Sequence, residues 1–137
     1  MDDEDLKSKL MEVLSRAPRA IQRERISEEW AKRWIREQGR PAFDRLQRVL
    51  SELGVQEVAS KWQDYAGTLS FGRAGNEFRY LIDLTVSPKG VTGTTQFEVP
   101  DQDVCKHGPV NDILKWTQEQ IVEDFTQGLD SWHPEKK

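Results

Sequence analysis

The stretch Phe78-Arg79-Tyr80-Leu81-Ile82-Asp83-Leu84-Thr85-Val86 decides how this chain is read. Phe78, Tyr80, Ile82, Leu84 and Val86 are apolar at every second position, and Arg79, Asp83 and Thr85 interleave with them. A side-chain period of two belongs to a strand with one buried and one wet face. Leu81 is the apolar exception in the middle of the wet face. Downstream, Val91, Thr95, Phe97 and Val99 alternate with Thr92, Thr94, Gln96 and Glu98. Upstream, Tyr65, Leu69 and Phe71 alternate with Thr68 and Ser70. The joints, Ser87-Pro88-Lys89-Gly90 and Arg73-Ala74-Gly75-Asn76, carry turn chemistry: Pro presets φ, and Gly accepts backbone angles that other residues avoid.

The register follows from the same pattern, because a slip of one residue moves every apolar side chain into water. Placing Val86 opposite Val91 sets Tyr80 against Phe97 and Phe78 against Val99. A two-residue turn at Ala74-Gly75 sets Phe71 against Phe78 and Leu69 against Tyr80. The tighter alternative in the second hairpin would set Tyr80 against Glu98 and is rejected. The expectation is a three-stranded antiparallel meander over about 65–99, with 77–87 central and the strands 65–72 and 91–99 at its edges. One apolar face then needs a cover of helices.

The flanks supply them. Leu6, Leu10, Val13 and Leu14 have helical spacing over 4–15, and Asp2 to Asp5 suit the positive end of a helix dipole. Pro18 is expected to end this helix or to begin the next piece. Ser27 reads as the N-cap of a second helix over 28–38, with Gly39 as its C′ residue. Pro41 suits the first turn of a third, which runs to about Leu53 with Phe43, Leu46, Val49 and Leu50 in its stripe. Residues 17–26 and 55–64 set no clear period. Pro100 to Gly108 reads as a polar loop, and Pro109 as the start of a long last helix with Val110, Ile113, Leu114, Ile121, Val122 and Phe125 facing inward. The fold expected is α+β: N-terminal helices, the meander, and a C-terminal helix that covers it together with 41–53. A length of 137 residues fits one domain, frayed over 1–4 and 133–137.

Composition narrows the function classes. The chain is 36% hydrophobic and 32% charged, without a run of apolar residues long enough to span a bilayer. Its acidic start, Met1-Asp2-Asp3-Glu4-Asp5, lacks the apolar core of a secretory signal. Cys105 is the single cysteine, which excludes an internal disulfide. Together these point to a cytoplasmic protein. The net charge of −4 hides a polarity: residues 16–48 carry ten basic and five acidic side chains, so this segment is +5 in a chain that is −9 elsewhere.

That segment holds the strongest binding candidates. Arg33, Arg36 and Arg40 share a helix face that can neutralise phosphates, and Trp30 and Trp34 beside them can stack on bases. Against this stand the opposite-sign i, i+4 pairs Glu28–Lys32, Glu29–Arg33, Arg33–Glu37 and Asp44–Arg48, which lace ordinary solvated helices. Trp62, Trp116 and Trp132 complete a set of five tryptophans suited to a core, an interface or a ligand pocket. Asp101, Asp103, Cys105 and His107 alternate in one loop, but a structural zinc site draws four ligands from separated pairs. Cys105 also lacks a well-placed base for nucleophilic catalysis. No catalytic set, metal site or cofactor is therefore expected. The reading is a non-catalytic interaction or accessory module that binds a protein or forms a homodimer, through a sheet edge or the aromatic helices. Nucleic-acid binding through the Arg-rich helices is the first alternative. A small-ligand pocket between the sheet and the C-terminal helix is the second. No membrane association is expected.

Overall fold

A computed structural model of the chain describes residues 2–73, 77–99 and 106–131. It is α+β: N-terminal helices, an antiparallel sheet and a C-terminal helix. Helix α1 spans Asp3–Trp34, a π-helical turn follows at Ile35–Gly39, and α2 spans Arg40–Glu52. Strands β1 (Ala59–Gln63), β2 (Ala66–Phe71), β3 (Phe78–Ser87), β4 (Gly90–Glu98) and β5 (Lys106–Val110) come next. A short 3-10 turn at Ile113–Lys115 leads into α3, Gln118–Asp130.

The sheet is a meander in chain order, β1-β2-β3-β4-β5, antiparallel throughout. Both expected registers are present: Phe71 faces Phe78, Leu69 faces Tyr80, Tyr80 faces Phe97 and Val86 faces Val91. The strand count is corrected from three to five, so the strands 65–72 and 91–99 are not edges; β1 and β5 are. Tyr65 lies in the turn between β1 and β2, where Asp64 takes a left-handed φ of 53°. The turn residues Ala74, Gly75 and Asn76 lie outside the described residues. Pro109 belongs to β5 opposite Thr94 instead of opening a helix. An edge strand tolerates proline because one of its rims needs no donor.

The helical breaks expected at Pro18, Ser27 and Gly39 are also corrected. Residues 3–52 form one uninterrupted helical rod. Pro18 sits inside α1, where a proline costs about 3 kcal/mol of helix stability. Ser27 is not a cap: it is buried within the helix, one turn before the fully buried Ala31. Small residues there let α1 approach β3 and β4 closely. Gly39 keeps a right-handed φ of −65°, so it ends nothing. The π turn before Pro41 explains how the rod survives. Pro41 has no N–H, and its ring collides with a carbonyl one α-turn back. The wider turn, closed by Arg40 N–H donating to Ile35 O, relaxes that geometry.

The last helix starts later than expected, because Thr117 and Gln120 form a reciprocal capping box at its N-terminus. Ile113 is nevertheless fully buried; it packs where Gly93 leaves room on β4. The apolar sheet face is covered by α2, α3 and the end of α1. Phe43 of α2 lies 6.0 Å from Tyr80, ring centre to ring centre. Phe125 of α3 sits among Phe71, Tyr80 and Phe97 at 5.6–6.1 Å. Aromatic rings therefore fill the space between the sheet and α3.

Candidate functional site

The rod divides into an anchored part and a free part. From Ser27 onward it is fixed to the body. Trp34 Nε1–H donates to Trp116 O at 2.9 Å, and Gln118 N–H donates to Gln38 Oε1 at 3.0 Å. Before Ser27, every residue with a described side chain is exposed. Residues 3–22 alone make an arm about 30 Å long at 1.5 Å per residue. Near Arg23 and Ile26 it shares a hollow with Pro88, Lys89 and Gly90 of the β3–β4 turn.

This arm is not a polar helix. Leu6, Leu10, Val13, Leu14 and Ile21 recur at spacings that put them on one side of it, and each is 44–66% exposed. By the same periodicity, that side leads into the one that Ser27, Ala31 and Ile35 bury against the body. The chain thus continues its core-facing stripe beyond the core. In the sequence these residues read as an ordinary core face; only the fold shows that nothing in the described chain covers them.

The predicted binding residues surround the root of the arm but do not form one surface. Trp34 is buried in the core, while Trp30 is exposed. Trp30, Arg33, Trp34, Glu37, Gln38 and Leu114 line an open cleft of about 390 Å³. Arg33 is engaged there with Glu37 at 3.2 Å. Arg36 and Arg40 turn instead to a separate hollow of about 230 Å³, shared with Lys32, Ile35 and Asp64. Of the expected i, i+4 pairs, only Arg33–Glu37 forms among the described residues. Lys32, Arg36 and Arg40 make no ion pair with a described residue. Arg45 reaches Glu119 of α3 at 2.5 Å, an exposed pair worth less than about 1 kcal/mol.

Two buried polar groups were not singled out from the sequence. Tyr80 is almost fully buried, and its hydroxyl donates to Asp124 Oδ2 at 2.7 Å. Burial first, and the Asp124 charge second, push this phenol far above its ordinary range. It stays protonated at any physiological pH and is a structural donor, not a base. Trp62 projects from β1 against both Gly39 and Gly67, and stacks obliquely on Phe43 at 4.9 Å. Its Nε1–H is buried without a hydrogen-bond partner among the described residues.

Among the described residues, no three His, Cys, Asp or Glu side chains come together as metal ligands. Asp101, Asp103 and Cys105 of the alternating loop lie outside the described residues, as do Trp132 and His133. No described helix is long and apolar enough to cross a membrane. No protein-family model, curated protein or solved structure matches the chain.

Proposed function

We propose that this chain is a non-catalytic interaction module whose working surface is the apolar seam of its N-terminal arm. The observation that carries the reading is the exposed stripe Leu6, Leu10, Val13, Leu14, Ile21 on a rod whose other half is fixed in a core. Fully burying a Val, Leu or Ile side chain is worth about 1.5–3 kcal/mol. These side chains already lose about half their exposure to neighbours on their own helix, so docking returns about 1 kcal/mol from each. The sum, about 5 kcal/mol per arm, is comparable with the cost of association and ordering. The seam therefore supports helix-on-helix docking, which reads anchors at one-turn spacing.

The test is site-specific photocrosslinking in cells. A photoreactive residue is placed at Leu6, Leu10 or Leu14 on the seam, or at Ser8 or Ser15 on the opposite side. The reading expects discrete crosslinked species, homo- or heteromeric, from the seam positions and far fewer from the back. Equal yields from both sides would refute it.

Lys32, Arg36 and Arg40, which pair with no described residue, favour a second reading, binding of a polyanion such as nucleic acid. Their spacing of four residues forms a column along the helix. The neighbouring Asp64 and the commitment of Arg33 to Glu37 weigh against it. Fluorescence anisotropy with labelled DNA and RNA at two salt concentrations decides. Salt-sensitive binding that is lost in Arg36→Ala/Arg40→Ala supports this reading, and no binding at low salt removes it.

A further inference from the structure

The arm is charged unevenly along its length. Residues 2–13 carry five acidic side chains, four of them in Asp2-Asp3-Glu4-Asp5, against Lys7 and Lys9, whereas residues 14–25 carry Arg16, Arg19, Arg23 and Arg25 against Glu24. The acidic turn suits the positive end of a helix dipole. The arginines have no such explanation, because the rod continues to Glu52 and their position is mid-helix. Arg16 reaches Glu12 on its own helix. Among the described residues, Arg19, Arg23, Arg25, Asp3, Glu4 and Asp5 make no ion pair. One end of the arm is therefore the electrostatic complement of the other, and they are too far apart on one helix to meet.

We propose, on the reading that the arm is the docking element, that its partner is a second copy of this chain laid antiparallel along residues 2–25. In this register Leu6 of one copy meets Ile21 of the other, and Val13 meets Leu14. Asp3 of one copy then lies beside Arg25 of the other on the same flank of the seam, against one like-charge neighbour, Glu24. The two-fold axis passes between residues 13 and 14, so every contact occurs twice. A parallel pair stacks carboxylates on carboxylates and arginines on arginines, which opposes that arrangement. The antiparallel pair also leaves the two folded bodies at opposite ends of the shared helices.

Sedimentation equilibrium of the full chain over a wide concentration range is the first test. The expected result is a reversible dimer that Leu10→Glu abolishes while the circular dichroism of the body is retained. Arg25→Glu should weaken the dimer by about tenfold, and adding Asp3→Arg to the same chain should restore it. Orientation is read from nitroxide pairs at Ser15→Cys or Gln22→Cys in a Cys105→Ser background. In the antiparallel dimer the two labels are offset along the axis by about 5 Å at 15 and about 26 Å at 22. Equal distances at both positions would overturn the antiparallel arrangement. A dimer untouched by Leu10→Glu would overturn the arm as its interface. A monomer at all concentrations would overturn the choice of partner alone, since seam-specific crosslinking to a different chain would still uphold the docking role.

Discussion

Gly67→Ala should destabilise this protein, and Trp62 should be the reason. A Cβ at position 67 would lie 2.5–2.7 Å from three atoms of the Trp62 indole. The indole has little room to retreat. It also abuts Gly39, where a Cβ would come within 2.8 Å, and it packs on Phe43 and edge-on to Trp34. Overpacking of this kind costs about 1–3 kcal/mol. Alanine recovers about 0.5–1 kcal/mol of the entropy that glycine loses on folding. The net expectation is a loss of up to about 2.5 kcal/mol, read from urea unfolding followed by far-ultraviolet circular dichroism. In a Trp62→Leu background the ring is gone, and the same substitution should be neutral or slightly stabilising. The double-mutant cycle isolates the coupling between the two positions. If Gly67→Ala costs as much without Trp62 as with it, the indole is not the obstacle, and the packing of β1 and β2 under the π turn is misdescribed.

Two further predictions concern different parts of the molecule. Unfolded tyrosine ionises near pH 10, whereas buried Tyr80 holds its proton to higher pH. The folded state then binds more protons, so this residue's contribution to stability is complete below about pH 10 and is lost as pH rises beyond it, by up to about 1.4 kcal/mol per unit. Urea midpoints of Tyr80→Phe measured from pH 8 to 11 should fall less steeply than those of the parent; equal slopes would contradict the assignment. In the arm, Pro18→Ala restores a missing helix donor and should increase helical dichroism and slow amide exchange around Leu14. An unchanged arm would mean that the proline carries no helical penalty there.

The sequence revealed the centre of the fold better than its margins, for physical reasons. Strands β3 and β4 are long, with one face buried, so alternation from Phe78 to Val99 dictated both strand and register. Strand β1 has Trp62 as its single large apolar residue, and β5 contains Gly108 and Pro109; edge strands need neither alternation nor every donor. Gly39 and Pro41 look like a helix end because local preference says so. The π turn and the close approach of Trp62 are tertiary facts that override it. At the candidate site, Arg33, Arg36 and Arg40 share a helix in the sequence, but Arg33 parts from the other two on the folded surface. The seam itself was legible as a stripe from Leu6 to Leu14. Its exposure was not, because a stripe does not say whether a partner lies within its own chain.

Hydrogen exchange of the full chain at low and high protein concentration tests the central claim most directly. A self-paired arm predicts that amides between Leu6 and Ile21 gain protection as concentration rises, while those of β3 and β4 stay unchanged. Arm amides that exchange equally fast at every concentration would contradict the pairing of two copies through this helix.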